Sequence, residues 1–328
     1  MEDFRRMRGA AKLLDECLDL KKGERALIVA DLNTVKIAEV LAAAIHERDC
    51  EVSVCVMSPR TRHGEDPPAP IAAAMAAADA ILMPVTWSLT HSNARRNANA
   101  KGARVLTLPG YKEDTLVGGG LDADFRAIRP TVMSLAKVLE QAEDAHITSA
   151  VGTDLHLSIK GKKGLSFTGI ADKPGTWAAP PAIEATIAPV EDSTTGTLVV
   201  DGYLMPGGSV NSEVRIEFEK GKIVSISGKS QATEFRQLLS NYNDPNVYFA
   251  VELGFGLNPK ARFGRNYLED ETTYGTAHIG LGEGRTFGST ISACAHMDLV
   301  LDRPTVEIDG KVVLSDRQVK LGGELAQY

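Results

Sequence analysis

His296 and Asp298 lie two residues apart in the run Ile291-Ser-Ala-Cys-Ala-His-Met-Asp-Leu-Val300, whose chemistry is sorted by parity. As a β-strand, the run sets Ile291, Ala293, Ala295, Met297 and Leu299 on one face and Ser292, Cys294, His296 and Asp298 on the other. An imidazole and a carboxylate on one strand face suit two ligands of a single divalent cation. Taken alone, they describe a hydrogen-bonded pair on a solvated sheet equally well. Three further segments shift the balance, because each places one ionisable residue among small ones, opposite an apolar face. In Thr276-Ala-His-Ile-Gly-Leu281 it is His278, in Ala250-Val-Glu-Leu-Gly-Phe255 it is Glu252, and in Ala182-Ile-Glu-Ala-Thr-Ile187 it is Glu184. A carboxylate in such a setting is costly to bury unless it is paired or coordinated, so the four strands together read as a metal centre.

Three carboxylates and two imidazoles, with no thiolate required, fit Zn, Mn, Co or Fe(II) better than a cysteine-rich structural zinc site. Five ligands exceed what one catalytic zinc usually takes from protein. A carboxylate bridging two metals about 3.5–4 Å apart uses all five and leaves room for a shared hydroxide. The expected cofactor is therefore two divalent ions per chain, and the expected reaction is amide hydrolysis. Glu271, in the acidic run Glu269-Asp-Glu271, is a candidate general base; a solvated loop is the competing description of that run.

The 328-residue chain is long enough for two domains, and its 43% hydrophobic and 24% charged content is that of an ordinary globular protein. A net charge of −7, with no basic patch interleaved with aromatics, argues against nucleic acid as a partner. No apolar run approaches the roughly 20 residues of a membrane span. Met1-Glu-Asp-Phe-Arg-Arg lacks the apolar core of a signal peptide, and Cys17, Cys50, Cys55 and Cys294 have no metal-ligand spacing. These features lead to the expectation of a cytoplasmic protein acting on a small molecule or short peptide, with Cys294 a small buried thiol.

The elements that must position these residues fall into two textures. Strand signals over Ala26–Ala30, Glu51–Met57, Ala80–Val85 and Arg104–Leu108 alternate with helix signals over Val35–Arg48 and Ile71–Ala78, and a long amphipathic helix is predicted over Ala123–Ala145. This predicts an α/β domain over residues 1–148, with a Rossmann-like parallel sheet covered on both faces. Ala30-Asp-Leu-Asn33 stands where a GxGxxG would follow the first strand, so no dinucleotide site is expected. Beyond His146, short strands with Gly, Asp and Pro turns take over, as in Thr153–Lys160, Gly196–Val200, Glu213–Glu219, Lys222–Ser227 and Thr305–Ile308, with a helix over Gln231–Leu239. An α+β domain over 149–328, mostly antiparallel, would thus carry every candidate metal ligand. His91 follows the third strand at the carboxyl edge, where open parallel sheets present functional groups. With Arg95 and Arg96 it is a candidate for binding a substrate carboxylate; the simpler description is an exposed residue at a helix start capped by Ser88 or Thr90.

The runs Ala277-His-Ile-Gly-Leu-Gly282, Phe287-Gly288, Ala295-His-Met-Asp298, Pro304-Thr-Val and Asp309-Gly310 resemble the aminopeptidase T/aminopeptidase S family of metallopeptidases. So do Glu184-Ala-Thr-Ile-Ala-Pro-Val-Glu191 and Glu252-Leu-Gly-Phe-Gly-Leu-Asn-Pro259. The resemblance implies a two-metal site whose ligands fall on Glu184, Glu252, His278, His296 and Asp298, and a homo-oligomer, dimeric or larger. Where those peptidases place a catalytic tyrosine, seven residues after the first histidine, this chain has Arg285, which suits an anionic substrate group. Pro174-Gly-Thr-Trp177, Gly196-Thr-Leu-Val-Val-Asp201 and Asn243-Asp-Pro-Asn-Val-Tyr248 are similar to the 2,5-dihydroxypyridine 5,6-dioxygenases of the same broader group. That second resemblance implies a mononuclear Fe(II) held by two histidines and an aspartate, of which His296 and Asp298 supply two while Glu252 stands at the third. The more anionic ligand set favours two divalent cations. The expectation is accordingly a metallohydrolase of small amides or peptides, with a ring-cleaving dioxygenase as the alternative.

Overall fold

Leu27, Ile28, Val29 and Ala30 are almost wholly buried, as a strand covered on both faces requires. Their strand, Arg25–Asp31, pairs in parallel with Glu51–Met57 on one side and Ala80–Met83 on the other. Arg104–Thr107 continues the sheet, and Trp177–Ala178 returns from far along the chain as its fifth strand. The computed structural model describes residues 2–205, 208–321 and 324–325. Among them, no helix is long and apolar enough to cross a membrane.

Two compact units result, one of Met1–Arg126 with Thr168–Ala182, the other of Ala127–Phe167 with Ile183–Tyr328. This division differs from a single cut at 148/149. The amphipathic helix ends at Gln141, and the next residues form a strand, Asp144–Thr148, of the second unit's nine-stranded sheet. Its five-residue alternation is masked in the sequence by the helical period that precedes it. Residues 168–182 return to the first unit because Val105 and Leu106 pair with Trp177 and Ala178, a contact no local pattern encodes.

Both sheets of the second unit are largely antiparallel. In the seven-stranded one the order is Gly208–Ser209, Tyr203–Leu204, His296–Leu301, Ala277–Gly282, Ala250–Gly256, Glu184–Ile187 and Gly164–Phe167. Ala185, Ile187, Val251, Leu253, Phe255, Ile279, Leu281, Met297 and Leu299 form its packed face and are at most 1% exposed. Burial of that face fixes the register, since a one-residue slip would turn every charged side chain of these strands into the core.

Asp31 is the last residue of the first strand, at the carboxyl end of the parallel sheet and just before the turn where no dinucleotide motif stands. Wholly buried, it accepts the backbone N–H groups of Asn33 (3.0 Å) and Thr86 (2.6 Å) and the Thr86 hydroxyl (3.1 Å), tying two strand ends together. Asp31→Ala strands these donors and is expected to lower the unfolding free energy by about 2–4 kcal/mol in urea titrations. A loss below about 1 kcal/mol would mean that water replaces the carboxylate.

Candidate metal centre

Four neighbouring strands of the seven-stranded sheet deliver the candidate ligands: Glu184 from Glu184–Ile187, Glu252 from Ala250–Gly256, His278 from Ala277–Gly282, and His296 with Asp298 from His296–Leu301. The register sets every one opposite a glycine of an adjacent strand. Glu184 faces Gly256, Glu252 and Asp298 both face Gly280, His278 faces Gly254, and His296 faces Gly282. At two positions close approach explains the glycine. A Cβ on Gly254 would stand 2.0 Å from Nε2 of His278, and one on Gly280 would stand 2.8 Å from Cε1 of His296 and 2.9 Å from Oε2 of Glu252. The side chains converge because they lie across bare backbone. Glu184, Glu252 and His278 make one group and Glu252, His296 and Asp298 a second, with the ligand atoms of each within 4.8 Å of one another. Glu252 is common to both, its Oε1 3.6 Å from Nε2 of His278 and its Oε2 3.2 Å from Nε2 of His296.

Each imidazole is oriented through its other nitrogen. Nδ1 of His278 donates to the Glu271 carbonyl (3.2 Å) and Nδ1 of His296 to the Glu283 carbonyl (2.9 Å). A carbonyl can only accept, so Nδ1 carries the proton and Nε2 is turned toward the carboxylates, as in metal-ligating histidines. Glu184, Glu252, His278 and Asp298 are at most 9% exposed, and Glu271 hydrogen-bonds to Asp298. With all four carboxyls ionised, even two protonated imidazoles would leave negative charge uncompensated. Burial pushes the Glu184 carboxyl up to about 8, with His278 opposing and Glu252 adding to the rise. Burial disfavours the His278 cation, but contact with Glu252 and the charges of Asp298, Glu252 and Glu184 lift it to about 9. His296 is raised against burial in the same way, and burial with the neighbouring carboxylates raises Glu271. Asp298 moves the other way, to about 2, because the histidines outweigh its burial. Oε2 of Glu184 is buried without a hydrogen-bond partner. A divalent cation would supply both the missing positive charge and that partner, so the residues fit a metal ion.

Glu271 is drawn into this cluster from a helix, Tyr267–Thr272, rather than from a solvated loop. Asn266 caps the helix by accepting the Leu268 N–H at 2.8 Å, and Glu269 and Asp270 are buried. Arg285 is exposed and forks onto Glu283 (2.7 and 3.3 Å), so its charge is already engaged. His91 belongs to the first unit, in the turn before the helix Asn93–Ala100. That helix is capped by Ser92 rather than Ser88 or Thr90, and Arg95 is buried, donating to the Thr90 carbonyl and to Asn99. The strand bearing His296 begins at His296 itself, so the parity expected from Ile291 onward does not extend before it. Cys294 is exposed rather than buried, its N–H donating to Asp244 at 2.8 Å.

Two residues of the site region escape a reading by parity. Glu283, between glycines and 8% exposed, accepts the Ala293 N–H (3.0 Å) and the Ser292 hydroxyl (3.2 Å) while its carbonyl orients His296. Phe287 sets its ring 5.0 Å from that of His296 and 6.1 Å from that of Phe167, forming an apolar wall. The isolated acid in Gly282-Glu-Gly284 was the available signal for the first, and the Phe287-Gly288 run of the family resemblance for the second.

The profile of the 2,5-dihydroxypyridine 5,6-dioxygenase family matches residues 10–320. The chain belongs to that family. The 2,5-dihydroxypyridine 5,6-dioxygenase of Pseudomonas putida is 30% identical over 195 residues, 56% of either chain, so the match spans little more than half of that relative's length. The solved structure of the dioxygenase from Pseudomonas putida matches with a TM-score of 0.84 at 22% identity, over 99% of this chain and 98% of that one. Wild-type AmpT from Thermus thermophilus matches with a TM-score of 0.68 at 18% identity, over 99% and 100%. At such identities both likenesses are of fold. The mixed α/β architecture is thus shared with AmpT, and the broader group is the expected one, but membership of the dioxygenase family overturns the assignment as an aminopeptidase-like metallohydrolase. The ligand inventory misleads here because hard and borderline ligands select a divalent cation without selecting its reaction.

Gly254→Ala drives a methyl into the His278 ring and is expected to weaken divalent-metal binding by at least about 10-fold in equilibrium dialysis. Unchanged affinity would separate His278 from the metal. In the metal-free protein, Glu184 and His278 retain protons at pH values where the unfolded chain releases them. Their contribution to stability is present at low pH and is lost as pH rises through about 8 and about 9, while that of Asp298 is constant above about 5. The metal-free melting temperature should therefore fall from about pH 5 to about pH 9, and saturating metal should flatten the profile. A rise over that window contradicts the electrostatic account.

Proposed function

We propose that this chain is a mononuclear Fe(II) ring-cleaving dioxygenase acting on a dihydroxypyridine-like substrate. The family match over residues 10–320 carries the proposal, and the buried His/carboxylate groups supply a fitting cation site. Glu252, His296 and Asp298 would hold the iron, with Glu252 standing where a two-histidine, one-carboxylate set has its second imidazole. When bound, Fe(II) supplies the redox-active centre that ring cleavage by dioxygen needs. The remaining work belongs to the protein. The Glu283 carbonyl keeps Nε2 of His296 facing Asp298 and Glu252. Phe287 and Phe167 offer an apolar surface beside His296 that suits a flat ring and excludes water. The Glu271 carboxyl, raised by burial and by its carboxylate neighbours, would once deprotonated be a base strong enough to take up the proton that a ring hydroxyl gives up. Arg285 stays paired with Glu283 and steadies the loop between Gly284 and Ala293.

The deciding experiment is oxygen uptake by protein reconstituted anaerobically with Fe(II) and then given 2,5-dihydroxypyridine in air, followed together with loss of the ring's absorbance. One iron per chain and substrate-dependent uptake are expected, and His296→Ala should lower kcat/KM by at least about 10²-fold. Iron-loaded protein that consumes no oxygen with any dihydroxypyridine, or protein that retains only zinc or manganese, overturns the proposal.

A further inference from the structure

A separate group of ligand side chains lies on the nine-stranded sheet of the second unit. We propose that His146, Asp154 and His156 form a surface site for a borderline divalent cation such as Zn2+, with Glu307 adding negative charge beside it. Three adjacent strands contribute: Asp154–Ser158, Asp144–Thr148 and Thr305–Ile308. His146 stands directly across from His156 on one side and from Glu307 on the other. Asp154, two residues before His156, shares its face. The two rings stack with centroids 3.9 Å apart and planes 8° from parallel. Their Nε2 atoms converge on one oxygen, Oδ1 of Asp154, at 2.8 Å from His146 and 3.5 Å from His156. All three ligand atoms lie within 4.8 Å of one another.

A hydrogen-bonded pair would need only one of these histidines. The second, stacked on the first and aimed at the same oxygen, is accounted for by an ion that all three share. Two imidazole nitrogens and a carboxylate oxygen are a zinc-type set that leaves a fourth position to water. Oε2 of Glu307 lies 4.0 Å from Nδ1 of His146, the nitrogen that faces away from Asp154, beyond hydrogen-bond reach but close enough to add negative charge beside the site. Side-chain exposures of 33% for His146, 59% for His156 and 69% for Asp154 make this an exchangeable site, unlike the buried cluster. A bound ion would join two neighbouring strands and stabilise the sheet by mass action.

The test uses chelator-stripped full-length protein titrated with Zn2+ alone by calorimetry, and with Cu2+ by electron paramagnetic resonance. Wild type should show a class of sites that His156→Gln weakens by at least about 10-fold and Glu307→Gln weakens less. The Cu2+ spectrum should lose one coupled nitrogen in His146→Gln and in His156→Gln. Matching far-UV circular dichroism of the metal-free variants shows that they are folded. Identical stoichiometry, affinity and Cu2+ spectra in wild type and both histidine variants overturn the site. The site lies on the nine-stranded sheet and shares no residue with the buried cluster of the seven-stranded one, so this result is independent of the oxygenase assignment.

Discussion

Negative charge held out of water is the constraint on which the second unit is organised. Glu184, Glu252 and Asp298 are buried on one sheet face with Glu271 bonded to Asp298, and among the described residues His278 and His296 stand against them. Burial disfavours each separate ion, so the cluster exists either by holding protons at unusual pH or by binding a cation. The opposite face of the same strands explains why the cluster persists. Leu253, Phe255, Ile279, Leu281 and Leu299 are sealed in the core, and a one-residue register shift would exchange them with the acids. Hydrophobic burial thus holds in place an arrangement that electrostatics alone would disperse.

Much of that arrangement was legible in the sequence, since strand parity and small neighbours are both local. His278 beside Gly280 and Glu252 beside Gly254 already suggested faces with room for polar side chains. The pairing of each ligand with a glycine across the strand was not legible, because it depends on register between segments up to about seventy residues apart: Glu184 meets Gly256, and His278 meets Gly254. The same limit applied to the fold. Continuous apolar strands such as Leu27–Ala30 announced the parallel sheet, whereas Trp177–Ala178 joined it through a pairing with Val105 and Leu106 that nothing near it in sequence predicts.

The loop before His296 shows a different kind of illegibility. Its sequence alternates like a strand from Ile291, yet Asp244, Glu283 and Glu191 draw its backbone out of the ladder by accepting the N–H groups of Cys294, Ala293 and Thr290. Side-chain acceptors competing for backbone donors are a general way to end a strand. Here the competitors are remote carboxylates, so periodicity carried no trace of them. The outcome serves the site, because Glu283 both bends the loop and orients the first residue of the strand that follows.

Chemistry was the least legible layer, and the reason lies in what a ligand set can specify. His296 and Asp298 meet the demands of a hydrolytic and an oxygenating cation alike, and the Glu252 carboxylate alters the charge of the site without naming the reaction. What separates the two chemistries is the metal's redox capacity and the surface offered to the substrate. On the proposed function that surface would include the Phe287 ring, tilted at 31° against His296, with Phe167 edge-on to it. Aromatic walls beside an imidazole favour a flat, weakly hydrated substrate over an extended peptide backbone, whose N–H and C=O groups would need partners there. The information on substrate that the ligands lack would then reside in the short turn Arg285–Phe287 and the strand Gly164–Phe167, both outside the run that parity addressed.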